Sequence, residues 1–246
     1  MPEWFEDDSF WVDLYPYLFP EERLTAGEEQ VEKILRLTGI EQGAVLDLCC
    51  GPGRHSIPLT RHGFTVTAVD RTAFFLDKAR ERAAEARVAI EFVLEDMRRF
   101  VRDAAFDLAT NLFTSFGYFD RKEDDLAVLS NLHASLRSGG ALVVDVVGKE
   151  WLARHFQPTI SQKFADGALF ISRHEIFDDW TRIRNEWTLI REGRVKTWVF
   201  HHTLYSGQEF RDLLERAGFR SIALHGDLDG NPYGLEAKRL VAVARK

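Results

Sequence analysis

The chain has 246 residues, 45% of them apolar and 29% charged, with a formal net charge of −7, which suits one sizeable core in a soluble globular protein. Its apolar runs are too short to cross a bilayer, and its Arg and Lys are interleaved with acids, as in Asp77-Lys-Ala-Arg-Glu-Arg82, rather than gathered in the basic patch of a nucleic-acid binder. The acidic opening Met1-Pro-Glu-Trp-Phe-Glu-Asp-Asp8 is not a signal peptide, so a cytoplasmic location is expected.

In chain order, residues 1–24 crowd aromatic side chains into an acidic segment, with Trp11, Leu14, Tyr15 and Leu18 at helical spacing. Such a segment either packs on the core or forms a lid over a ligand. Arg23 follows, placed to pair with Glu21 or Glu22 or to meet an anionic group. Thr25-x-x-Glu28 has the form of a capping box ahead of Val31, Ile34 and Leu35. Ala44–Leu48 is a short apolar strand that runs into Gly51-Pro-Gly53 and a helix beginning near Arg54. Phe64–Asp70 and Ile90–Asp96 are strand candidates that each end in an acid, and Phe106–Phe113 and Ala141–Val147 are two more. Between the last two, Leu126, Leu129, His133 and Leu136 share a helical face that Gly139-Gly140 is expected to stop. Strands alternating with helices predict an α/β fold, a parallel sheet with helices on both faces.

The pattern then changes. Phe164–Phe177, Ile183–Ile190 and Val195–Leu204 are strand-like and aromatic-rich, with turns at Asp178-Asp179 and Glu192-Gly193. They predict a three-stranded antiparallel β insertion within residues 149–205 of a single domain spanning 1–246, lying as a wall or lid over the ends of the parallel strands. Ser206-x-x-Glu209 is a second capping box, ahead of Phe210, Leu213, Leu214 and Ala217, and Gly218 stops that helix. Arg220–Leu224 and Arg239–Ala244 are closing strands joined through the turn residues Asp229-Gly-Asn-Pro-Tyr-Gly234.

The chemistry concentrates in Val45-Leu-Asp-Leu-Cys-Cys-Gly-Pro-Gly-Arg-His55. Cys49 and Cys50 are the only two cysteines. Neighbours on a strand point to opposite faces, no second cluster completes a zinc site, and there is no Cys-x-x-Cys, so packing is their expected role and no metal is expected. Gly51 and Gly53 let the backbone approach a ligand, and Asp70 suits the ribose of an adenosine cofactor, NAD included. Asp47 discriminates between cofactors: a carboxylate here would repel a pyrophosphate but attract an ammonium and a sulfonium, and S-adenosylmethionine carries both. The third small position of the dinucleotide pattern is Ser56, a further departure from NAD binding.

These residues, with Ala-Val-Asp70, Glu-Asp96-Met97, Phe106-Asp-Leu-Ala-Thr-Asn111-Leu-Phe-Thr-Ser-Phe-Gly-Tyr-Phe119, Ser138-Gly-Gly140 and Arg216-Ala-Gly-Phe219, resemble class I S-adenosylmethionine-dependent methyltransferases over about residues 28–148 and 206–246. The resemblance implies a Rossmann-like methyltransferase fold, with a seven-stranded, mostly parallel sheet whose last strand is antiparallel. It implies that Asp47, Gly51 and Gly53 flank the amino-acid end of S-adenosylmethionine, that Asp70 holds the ribose with Arg71 beside the adenine, and that Asp96 and Met97 meet the adenine ring. Taken alone, Asp96 could equally cap a helix ahead of Met97; within the order of these motifs the adenine role is the expected one. Asn111 and Leu112 would follow the methionyl part, and His55 either contacts the cofactor or caps its loop. Small-molecule members of the family often carry a lid, which would bring Trp11 and Tyr15 towards the sulfonium and Arg23 to the cofactor carboxylate.

The expected reaction is methyl transfer to N or O of a small molecule, where alignment and desolvation supply much of the rate. Phe113, Phe116 and Tyr118 suit an acceptor pocket. Tyr118, His174, His201 and His202 are the candidate bases, and of the adjacent pair His201 and His202 only one can face a site. The rival readings are a protein or RNA methyltransferase of the same fold and, more distantly, an NAD-dependent oxidoreductase.

Overall fold

The computed structural model describes residues 3–246; the first two residues of the N-terminal aromatic segment lie outside that range. A single 3₁₀ turn, Trp4–Glu6, leads into α1 (Asp8–Leu18), α2 (Glu21–Thr25) and α3 (Gly27–Thr38). The main sheet then forms from β1 (Ala44–Leu48), β2 (Thr65–Asp70), β3 (Glu91–Leu94), β4 (Phe106–Asn111) and β5 (Leu136–Val146). Their connections carry α4 (Ser56–Arg61), α5 (Ala73–Ala86) and α6 (Lys122–Ser135). After β5 come α7 (Lys149–His155) and four strands, β6 (Thr159–Lys163), β7 (Leu169–Phe177), β8 (Arg182–Arg191) and β9 (Arg194–Thr203). The chain returns to the main sheet through α8 (Gly207–Arg216), β10 (Ser221–His225) and β11 (Leu240–Arg245). No helix among the described residues is long and apolar enough to cross a membrane.

The seven strands of the main sheet lie in the order β10-β11-β5-β4-β1-β2-β3, all parallel except β11, which runs antiparallel to both neighbours. The strand order reverses between β1 and β4, and a crevice opens beyond strand C-termini at such a switch point. Strands β1, β2, β4 and β5 are buried on both faces, which is why they read as nearly continuous apolar runs.

Three expectations change. Helix α6 ends at Ser135, and β5 starts at Leu136, which pairs with Phe106; Gly139 and Gly140 therefore lie inside the strand, beside a register shift, and do not stop the helix. Thr25 caps nothing: it is the last residue of α2, its hydroxyl donates to the Glu21 carbonyl, and α3 starts behind Ala26 without a side-chain cap. The insertion has four strands, not three, in an antiparallel sheet of its own with the order β6-β7-β8-β9. By contrast, the Ser206 capping box is present in full, with the Ser206 hydroxyl accepting from the Glu209 N–H at 3.2 Å and Glu209 accepting from the Ser206 N–H at 2.8 Å. Ser206→Ala should cost about 1 kcal/mol of stability in urea denaturation and leave ligand affinity unchanged.

The N-terminal segment fills the gap between the two sheets. Phe10 and Leu14 of α1 are buried against Leu189 and Phe200 of the insertion, while Trp11 meets Phe75 of α5 edge-on at 5.3 Å. The insertion is tied to the main domain by a bridge between Gly148 and Tyr205 and by the Thr203 N–H, which donates to the Gly117 carbonyl at 2.7 Å.

Candidate active site

A cavity of about 380 Å³ lies beyond the C-terminal ends of the central strands. Its floor is Leu48, Cys49 and Gly51 after β1, Val69, Asp70, Arg71 and Thr72 at β2, and Glu95, Asp96 and Met97 after β3. Phe113, Thr114 and Ser115 after β4 continue the wall. The roof comes from the N-terminal segment, including Trp4, Trp11, Phe19 and Arg23, and from Trp187, Phe200 and His202 of the insertion.

The loop after β1 takes left-handed backbone at Cys49, Gly51 and Gly53 (φ 63°, 54° and 77°), turning the chain sharply enough for the Gly51 N–H to meet Asp70. The Asp70 carboxylate accepts from the Gly51 N–H and from the Thr72 N–H, each at 2.9 Å and each on a different oxygen. Both oxygens retain lone pairs. Burial raises the Asp70 pKa, and the Thr72 and Gly51 N–H bonds oppose that rise. Cys49 lies against Met97, sulfur to sulfur at 3.4 Å; burial and then the nearby Asp70 and Asp47 push its thiol pKa well up, which favours the neutral thiol.

Asp96 and Arg71 line the cavity with their charges already engaged. Arg98 forks onto Asp96 (closest approach 2.6 Å) and also donates its backbone N–H to it. Burial raises the Asp96 carboxyl, but the Arg98 bonds outweigh it and the net shift is downward. Asp96 therefore does cap the backbone that follows it, although that backbone is a turn rather than a helix. Arg71 donates to the Phe5 carbonyl at 2.9 Å and pairs with Glu6, clamping the N-terminal segment over the cavity.

Arg23 turns inward, away from Glu21 and Glu22. It donates to the Leu18 carbonyl at 2.7 Å and lies over the Phe113 ring at 5.0 Å. Arg54 approaches the same ring at 4.8 Å, is 5% exposed, and has no partner for Nε or Nη1. Burial, then the Arg23 charge, lowers the Arg54 pKa to about 10. Phe113 and Thr114 hold left-handed backbone (φ 61° and 60°), secured by Asp145, which accepts both of their N–H groups. Arg239 locks that acid from the other side at 2.6 Å.

Several expected site residues stand behind the cavity rather than in its wall. Asp47 is buried and accepts from Ser56 at 2.5 Å and Thr110 at 2.9 Å; burial raises its pKa to about 6 against those two bonds. Gly53 faces α5, where a Cβ would come 3.3 Å from that of Ala79. His55 is bonded to Gln30 at 2.8 Å, and burial, then Arg54, lowers its pKa to about 3, so it supports the loop as a neutral ring without capping the helix. Asn111 donates to the Leu48 carbonyl, joining β4 to β1, and Leu112 packs into the core. Tyr15 packs outside the cavity on Phe19, Phe74 and Phe75. Phe116 is core, against Tyr205 and Phe210.

Among the base candidates, Tyr118 lines the cavity and stacks beside His202 at 4.9 Å. His201 faces away, against Phe177, and His174 lies in a second cavity of about 200 Å³. Trp187, Phe200, Arg54 and Arg239 were not singled out from sequence, and Trp4 only as one of the aromatics of the N-terminal segment. The alternation Trp198-x-Phe200-x-His202 was the available signal, since it marks one face of β9.

A family model described as a methyltransferase domain matches residues 45–140. A protein of Geobacillus sp. (strain WCH70) that carries a methyltransferase name is 25% identical, over 98% of this chain and 99% of that one. A solved S-adenosylmethionine-dependent methyltransferase from Clostridium acetobutylicum superposes with a TM-score of 0.78 at 13% identity, covering 97% of this chain and 98% of its own. CalS10, an amino pentose methyltransferase from Micromonospora echinaspora solved with S-adenosylmethionine bound, gives 0.72 at 20% identity, covering 96% and 97%.

Proposed function

We propose that this chain, with its methyltransferase-domain match and Rossmann-like methyltransferase fold, is a class I S-adenosylmethionine-dependent methyltransferase that methylates N or O of a small molecule held between the N-terminal segment and the insertion. The observation that carries this reading is the single cavity shared by the Asp70–Met97 floor and the aromatic roof. A macromolecular acceptor would need an open groove, and the roof closes over this one.

The residues fit the cofactor. Asp70 keeps lone pairs on both oxygens for ribose hydroxyls, Leu48, Val69 and Met97 offer an apolar slot for the adenine, and Gly51 presents bare backbone. Arg23, which lines the cavity over Phe113, suits the carboxylate, with the buried Arg54 charge behind it on the same ring. When bound, S-adenosylmethionine supplies an electrophilic methyl carbon, the C–S electron pair staying on sulfur as the acceptor's N or O takes the methyl. The residues of the roof exclude water and align the acceptor, which is most of what such a displacement requires. Trp4, Phe5 and Trp11 act here as a lid held by Arg71.

Calorimetry with S-adenosylhomocysteine and with NAD tests the assignment; NAD binding without S-adenosylhomocysteine binding would overturn it. The titration should also depend on pH. The Asp47 pKa stands at about 6 in the free protein, and a cofactor cation nearby favours its ionised form. Binding therefore releases a proton near pH 6, and affinity should rise about tenfold between pH 5 and pH 7 and then level off. An affinity flat across that range would show that Asp47 does not sense the cofactor.

A further inference from the structure

The insertion side of the cavity carries a set of hydrogen-bond donors that the cofactor wall does not use. Trp4 Nε1, Trp187 Nε1 and His202 Nε2 are each buried without a partner, and all three residues line the cavity. Their rings converge on Phe200, with centroids at 4.6 Å for Trp4, 4.7 Å for Trp187 and 5.3 Å for His202. Native structures rarely leave buried polar groups unpaired, so three around one ring point to an occupant. An indole N–H can only donate.

The proton on His202 is set by its neighbours. Asn185 of β8 is buried, and its carbonyl Oδ1 lies 2.9 Å from His174 Nδ1, which therefore donates to it. The Asn185 amide nitrogen in turn faces His202 Nδ1 at 3.5 Å. An amide nitrogen has no lone pair to offer, so this contact favours His202 Nδ1 as the acceptor and the ring proton on Nε2. Burial, then the charges of Arg182 and His201, lowers the His202 pKa to about 3, which keeps the ring neutral. The acids that line the cavity, Asp70, Glu95 and Asp96, all belong to the floor. Among the described residues the N-terminal segment and the insertion contribute none, so an ammonium ion on the roof side would find aromatic faces but no countercharge, and the three N–H groups would turn the positive ends of their dipoles towards it.

We infer that Trp4, Trp187 and His202 form an acceptor-recognition subsite of neutral N–H donors, with Asn185 as the residue that holds His202 in its donor form. Resting on the methyltransferase reading above, this specifies the acceptor as a flat, apolar body bearing hydrogen-bond-accepting oxygens, a phenolic or aromatic carboxyl compound rather than a cationic amine. Phe10, Tyr118 and Phe200 line the same cavity and give the body its apolar wall, and the three donors read its oxygens.

The test uses the intact protein. In ¹⁵N spectra of the wild-type chain at pH 7, with His202→Phe to assign the signal, His202 should be protonated on Nε2 and bare on Nδ1. A ring protonated on Nδ1, or on both nitrogens, overturns the proposal. In the complex with S-adenosylhomocysteine, 4-hydroxybenzoate should bind at least tenfold more tightly than benzylamine and shift the Trp4 and Trp187 indole N–H resonances downfield. Equal or tighter binding of benzylamine overturns it as well. In Asn185→Asp the carboxylate accepts from Nδ1–H and reverses the tautomer. The 4-hydroxybenzoate affinity should then fall at least tenfold while that of S-adenosylhomocysteine stays within twofold. Should the Asn185→Asp variant fail to fold, the two wild-type measurements decide. Failure of the methyltransferase reading itself would appear separately, as loss of S-adenosylhomocysteine binding by the wild-type protein.

Discussion

Asp70→Ala should weaken S-adenosylhomocysteine binding about 100-fold while the protein stays folded. Charge-assisted hydrogen bonds to ribose hydroxyls are worth on the order of 1.5–3 kcal/mol, and each 1.4 kcal/mol is a factor of ten in affinity. The structure places the expected loss towards the upper end of that range, because Asp70 also accepts the Gly51 N–H at 2.9 Å. Alanine would release that loop as well as the ribose. Asp70→Asn keeps one acceptor oxygen but turns an amide N–H towards a donor, so a loss of roughly tenfold is expected. Calorimetry on both variants decides the matter: affinities within twofold of wild type would mean that the ribose is held elsewhere.

Gly27→Ala should destabilise the protein by about 2–3 kcal/mol, against the usual direction of such a change. Gly27 is the first residue of α3, and helix propensity alone would make alanine the better residue there by roughly 0.5–1 kcal/mol. The added Cβ would, however, stand 2.2 Å from the Arg54 carbonyl oxygen and 3.1 Å from the Arg54 carbonyl carbon and Cγ. The helix or the loop must move, and that loop carries Gly51 and Gly53. Urea denaturation should show the loss, and S-adenosylhomocysteine affinity should fall with it. A variant as stable as wild type would show that α3 can retreat without disturbing the cofactor loop.

The main sheet was legible because its strands are short apolar runs, and burial of β1, β2, β4 and β5 imposes that pattern directly. Strand β6 was not, because all five residues of Thr159–Lys163 are exposed at a sheet edge, where no burial constraint shapes the sequence. The acids and glycines of the cofactor floor were readable from their places at strand ends. Their division of labour was not: Asp47 looked like a cavity residue, and only the placement of Ser56 and Thr110 shows its oxygens turned to hydroxyls behind the loop. Gly27 escaped notice for a similar reason, since its neighbour in space, Arg54, lies in another element. The roof depended on strand register, which puts Trp187 opposite Trp198 and Asn185 opposite Phe200; no local pattern fixes such pairings.

The docking of the N-terminal segment between two sheets also constrains how the molecule is assembled. Tyr17 bonds to Asp166 across 149 residues of chain, and Asp13 to Lys196 across 183. At a synthesis rate of about 5–20 residues per second, the partners of this segment emerge roughly 10–40 s after it does. Over that interval Trp4, Phe10, Trp11 and Leu14 have no insertion sheet to bury them, and they form an aromatic surface on which a chaperone could act or from which aggregation could start. Contacts of such long sequence separation also slow folding, because the entropy of closing the intervening chain is lost before any of them forms. The roof of the cavity accordingly has no sheet to close against until residues 159–203 have been made.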